Sequence, residues 1–102
     1  MITIRTWGKA LFTIQNDDGT TRAITVSGRD RWALQNLLAA GPNGCTPLDH
    51  PGPRWSAYTF NLRHEYGLEI ETVTEQHGGP FQGNHARYVL RSHVTFSHEV
   101  QQ

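Results

Sequence analysis

With 102 residues the chain has room for one domain with one modest core, and only 36% of it is hydrophobic. Nine basic residues balance nine acidic ones, which excludes the uniformly positive field of a strongly basic nucleic-acid binder, so any DNA-facing charge has to be local. The single cysteine, Cys45, excludes an internal disulfide. The opening residues hold no apolar h-region, and no run approaches the roughly 20 apolar residues of a membrane span, so the expectation is a soluble cytoplasmic protein.

Residues 1–26 read as strands. Ile2 and Ile4 alternate with polar residues, and Trp7-Gly8 marks a bend. The β-branched and aromatic runs Leu11 to Gln15 and Arg22 to Val26 flank Asn16-Asp17-Asp18-Gly19, and an Asp-Gly turn between such runs predicts a hairpin. This hairpin carries no obvious chemistry. It reads as scaffold or, alternatively, as a dimerisation arm, because a lone hairpin needs something to pack on.

Ser27 to Gly41 predicts the first helix, with Ser27 as N-cap, Asp30 at capping-box spacing and Gly41 as terminator. Trp32, Ala33, Leu37 and Ala40 form an apolar stripe that Leu34 and Leu38 widen. Arg29 and Arg31 read as solvated surface. Pro42-Asn43-Gly44 is a turn, and Cys45-Thr46 is placed to make one short bridge to a sheet.

The stretch Gly44 to Gly67, GCTPLDHPGPRWSAYTFNLRHEYG, predicts a helix-turn-helix. Thr46 caps a short helix with Pro47 at its first position and Leu48 pointing inward. Pro51, Gly52 and Pro53 stop it after about one turn. Pro53 then opens a longer helix, Arg54 to Tyr66, that Gly67 closes. On a helical wheel Trp55, Thr59, Leu62 and Tyr66 share the buried side. Ala57, Asn61 and His64 lie opposite, with Arg54, Tyr58 and Phe60 on the shoulders. Such a face suits a major groove, where Arg reads guanine or holds phosphate, Asn pairs with adenine and Ala permits close approach. It equally suits an ordinary exposed helix.

Leu68 to Glu75 alternates as a strand, Gln76 to His85 is a Gly-rich connector, and Arg87 to Phe96 alternates again. Strand, loop and strand after a helix-turn-helix predict a wing. Gln76 to Ser97 contains Arg87 and Arg91 and no carboxylate, whereas the preceding strand carries Glu69, Glu71 and Glu75. That contrast predicts opposed faces, one of them phosphate-facing. Ser97 to Gln102 is expected to fray as a polar tail.

The pieces GRDRWALQNLLAAGPNGCTPL, PRWSAYTFNLRHEYGLEIET, the Gly-rich loop and ARYVLRS together resemble the small winged-helix (helix-turn-helix) domain proteins of proteobacteria and their prophages. The resemblance covers about Ser27 to Arg91. It implies an α+β fold, a three-helix core with a C-terminal β-hairpin wing, and DNA binding. The expected division is an N-terminal hairpin extension (1–26), a winged-helix domain (27–96) and a polar tail (97–102).

No other chemistry competes. Cys45, His50, His77 and His85 lack the ligand spacings of a zinc site. Gly78-Gly79 and Gly83 lack the strand-to-helix context of a phosphate loop, and Cys45 reads as a small buried thiol rather than a nucleophile. The chain is therefore expected to have no catalytic, metal or cofactor site. The expected ligand is double-stranded DNA. Arg54, Ser56, Tyr58, Asn61 and Arg63 would contact bases and phosphates from the helix, and Arg87 and Arg91 would hold the backbone or minor groove from the wing. Zero net charge favours a homodimer or a protein partner that adds affinity. The rival is a protein-interaction module anchored by Tyr58, Phe60 and Phe81.

Overall fold

The computed structural model describes residues 7–51, 54–78 and 83–100. The expectations for Ile2 and Ile4, for Gly52 and Pro53, and for the connector's tip with Phe81 lie outside them.

The first hairpin forms around its Asp-Gly turn. Strand β1 (Ala10–Gln15) pairs antiparallel with β2 (Thr21–Val26). Asn16 N–H donates to the Thr20 carbonyl at 2.7 Å, and the Asp18 carboxylate accepts from the Thr20 N–H (2.9 Å) and hydroxyl (2.6 Å). Alternation sends Ala10, Phe12, Ile14, Ile24 and Val26 inward.

On the other side of β1 lies a strand the sequence did not separate. β5 (His93–Glu99) completes a three-stranded sheet of order β2-β1-β5. The run Arg87 to Phe96 is therefore two strands rather than one, and Ser97 to Glu99 is paired rather than frayed. The break falls at Arg91-Ser92. The Arg91 and Ser92 N–H groups both reach the Glu69 carbonyl (2.8 and 3.4 Å), and the Ser92 hydroxyl accepts the Glu69 N–H at 2.8 Å. This knot turns the chain out of the wing. β5 crosses the expected boundary at residue 96, so the hairpin and the end of the wing segment share one sheet.

Helix α1 (Gly28–Ala40) buries Ala33, Leu34 and Leu37. Ser27 occupies the N-cap position, but its side chain makes no capping hydrogen bond, so the expected capping box does not form. Asp30 instead accepts from Asn61. Arg31 is buried rather than solvated. Its guanidinium forms a two-pronged ion pair with Glu99, donates to the Gly8 carbonyl (2.9 Å) and Gln35 (2.6 Å), and lies over the Trp7 and Phe96 rings. Arg31 thus ties α1 to β5.

Among the described residues the core holds two α-helices, not the expected three. After one 3-10 turn (Gly41–Asn43) the expected second helix is a single turn over residues 47–50. Thr46 does cap it, since its hydroxyl accepts the Asp49 N–H (3.0 Å) and its carbonyl accepts the His50 N–H (2.8 Å). Pro51 then has no N–H with which to continue. So short a turn has no inward stripe, and Leu48, expected inside, is 58% exposed.

Helix α2 (Trp55–Tyr66) ends at Gly67, whose φ of 68° and ψ of 28° are left-handed. Its buried residues are Trp55, Tyr58, Thr59 and Leu62. Trp55 stacks on Tyr88 at 5.9 Å and packs against Trp32 at 5.3 Å. β3 (Ile70–His77) and β4 (Gly83–Leu90) form the wing in unbroken register from Ile70↔Leu90 to His77↔Gly83. The connector is thus shorter than expected, because both its ends join the strands. The expected bridge also forms: Cys45 and Tyr88 exchange two backbone hydrogen bonds of 2.8 Å, fastening the wing to the loop that leads into α2.

Candidate nucleic-acid interface

α2 is fixed on every side except one. Arg22 from β2 donates to the Tyr66 (2.8 Å) and Gly67 (3.2 Å) carbonyls, meeting the negative end of the helix. Arg63 donates to the Ile70 carbonyl (2.5 and 3.1 Å) and the Thr72 hydroxyl (2.6 Å), locking α2 to β3. Asn61 donates to Asp30 at 3.2 Å, locking α2 to α1. The free side is an open groove between the start of α1 and the outer face of α2, with Arg29, Arg54, Ser56, Ala57 and Phe60 along it.

The predicted contact residues therefore separate. Arg54 and Ser56 are exposed on this groove. Asn61 reaches it, but its amide is already engaged by Asp30. Arg63 is half-buried and spends its donors on β3. Tyr58 is only 5% exposed; it sits among Trp32 and Trp55, and its shielded hydroxyl has no hydrogen-bond partner among the described residues. Tyr58 borders the groove, but most of its ring is packed into the aromatic core.

The wing arginines are paired, not opposed to the glutamates. Arg87 donates to Glu75 (2.7 and 3.1 Å) and to the Asn43 carbonyl (2.8 Å), and Arg91 donates to Glu71 (2.9 and 2.5 Å). The reason is cross-strand geometry. Glu75 pairs with His85 and Val73 with Arg87, which sets Glu75 diagonal to Arg87 on one face. The Arg87 hydrogen bonds hold the Glu75 carboxyl below the usual carboxylate range.

Sequence reasoning missed Arg29. It lies on the groove beside Arg54, and neither forms an ion pair among the described residues. No sequence signal marked this; the start of α1 is set against α2 by the packing of Trp32 on Trp55 and Tyr58, with Asn61 bonded to Asp30. Phe60, 58% exposed, packs against His64 with ring centroids 4.2 Å apart and planes tilted by 39°.

Cys45 is buried, and desolvation pushes its thiol up to about 11, the opposite of an activated nucleophile. Among the described residues no three His, Cys, Asp or Glu side chains cluster as a metal site, and no helix is long and apolar enough to cross a membrane.

Helix, capped turn, longer helix and a β-hairpin docked beside it is the winged-helix arrangement. A family model for a winged helix domain matches residues 23–100, and the chain belongs to that family. The match begins inside β2 and takes in β5. No curated protein and no solved structure matches the chain.

Proposed function

We propose that this protein binds double-stranded DNA, as a bacterial or phage-type transcriptional regulator or an accessory factor of DNA transactions. α2 enters the major groove through its one open side. Arg54 and Arg29 hold phosphates on either flank, Ser56 donates to a phosphate or base edge, and Phe60 meets thymine methyl groups. Asn61 and Arg63 position the helix rather than read bases. The observation that carries this reading is the pair of arginines on one groove beside the exposed strip of α2, neither in an ion pair among the described residues. With few free cations among the described residues and zero net charge, affinity is modest and depends on a dimer or a partner.

The test is a titration of labelled duplex pools by fluorescence anisotropy at two salt concentrations. Binding that falls steeply with salt and weakens in Arg54→Ala is the expected outcome. The exposed Phe60 and Leu48, with Arg87 and Arg91 both neutralised, favour one second reading: a module whose groove takes a protein segment. Absence of duplex binding at low salt would select it.

A further inference from the structure

The DNA reading makes no use of the hairpin's outer edge. β2 is the end strand of its sheet, and no described strand pairs with its far side. The turn reveals which backbone groups point there. Asn16 N–H donates to the Thr20 carbonyl, so these two form a hydrogen-bonded pair. Opposed residues alternate between bonded and non-bonded pairs along an antiparallel ladder. In the register Gln15↔Thr21 to Ala10↔Val26, Arg22, Ile24 and Val26 therefore bond to β1. Thr21, Ala23 and Thr25 aim their N–H and C=O groups outward.

Edge strands are ordinarily guarded by proline, lysine, a bulge or brevity. β2 has none of these. It runs six residues in unbroken register, and its one charged side chain, Arg22, is folded back onto the end of α2. The opposite edge is guarded, because the β1–β5 register shifts between Leu11 and Phe12.

We propose that β2 pairs antiparallel with β2 of a second copy of this chain, about a twofold axis at Ala23. A twofold contact has to match itself, and Thr21–Thr25 does. Thr21 of one copy faces Thr25 of the other, Ala23 faces Ala23, and Arg22 lies beside Ile24. No like charges meet, and the chain's zero net charge leaves no long-range repulsion. Three bonded pairs give roughly six backbone hydrogen bonds and one continuous sheet across both copies. One strand pairing buries less than the ~1,200 Å² of a standard interface, so the dimer is reversible, dissociating on the order of 10 µM. It does not depend on DNA binding.

Sedimentation of the full chain from about 5 to about 500 µM tests this, because a reversible dimer follows concentration. The weight-average mass should climb from monomer toward dimer. Ala23→Lys puts two ammonium groups across the axis while its side chain points to solvent in the monomer, so it should stay monomeric with an unchanged circular dichroism spectrum. Ala23→Pro removes only an outward N–H and should do the same. Thr95→Lys, on the same sheet face but on β5, should dimerise like wild type. A wild type that stays monomeric throughout, or Ala23 variants that dimerise normally, would overturn the proposal.

Discussion

Replacing Gly44 by alanine probes the contact that sets the wing beside α2. Gly44 has φ 69° and ψ −175°, a region essentially reserved for glycine. A Cβ there would lie 2.5 Å from the Tyr88 carbonyl oxygen and 2.8 Å from Val89 Cγ2. Both neighbours belong to β4, and the Tyr88 carbonyl is backbone, so it cannot simply swing aside. The loop has to move, and the Cys45·Tyr88 bridge one residue on breaks. Strain in such a region is about 1–3 kcal/mol. Two lost backbone hydrogen bonds add about 1 kcal/mol each. The expected loss is about 3–5 kcal/mol, a large share of the roughly 5–15 kcal/mol that holds a small domain together. At about 4–8 °C per kcal/mol, the thermal midpoint should fall by about 12–40 °C. Urea unfolding followed by tryptophan fluorescence is the assay, since Trp55 stacks on Tyr88. Gly8→Ala is the control: its φ is not positive, a Cβ there meets nothing within 4 Å, and the change should stay within about 0.5 kcal/mol. A Gly44→Ala loss under about 1 kcal/mol would refute the view that close approach of β4 fixes the wing.

Tyr58→Phe should keep or raise stability, by up to about 1–3 kcal/mol, because it removes a shielded hydroxyl that has no partner among the described residues, and it should leave DNA affinity unchanged; weakened binding would mean that the hydroxyl reaches the ligand. Arg29→Ala and Arg54→Ala should each flatten the slope of log affinity against log salt by about 0.9, whereas Arg63→Ala should chiefly lower the urea midpoint. Glu75 titrates below its ordinary range when folded, so its pairing with Arg87 stabilises the fold above that range and is lost as pH falls through the folded value. In Glu75→Gln the urea midpoint should depend less on pH across the acid range, and the freed Arg87 should tighten DNA binding at low salt; an unchanged affinity would place the wing away from phosphates. The Cys45 thiol holds its proton to about 11 when folded, against 9.0 for an ordinary thiol, so stability should decline between those pH values, and a thiol reagent at pH 8 should label the protein only after urea is added.

The elements with local punctuation were legible from the residues. Asp18-Gly19 marked the hairpin, and Gly41 and Gly67 marked the ends of both helices. What escaped was set by contacts distant in sequence. Nothing between Tyr88 and Phe96 punctuates the chain with glycine or proline; the break at Ser92 comes from Glu69, reached across the sheet. Arg31 looked like surface because its partner, Glu99, lies 68 residues away. Tyr58 sat on a wheel shoulder that either side could claim, and the Trp32 and Trp55 rings decided it. Of the groove residues, Arg54 and Ser56 were named as candidates, but the wheel left Arg54 on a shoulder and did not place Ser56; the packing of α2 sets both outward. Arg29 needed the packing of α1 on α2, and the neutralising of Arg87 and Arg91 needed the wing's register.

The central position of β1 has a consequence during synthesis. Its two neighbours come from opposite parts of the chain: β2 follows it at once, while Thr13 meets Ser97 across 84 residues. A two-stranded hairpin alone is marginal in water. As the chain leaves the ribosome, β1 and β2 therefore wait, with one flank of β1 open, until β5 has emerged as well. Non-local closure of this kind slows folding and leaves a nascent strand available for wrong pairings. A ribosome stalled before His93 would display that unfinished ribbon to chaperones and proteases.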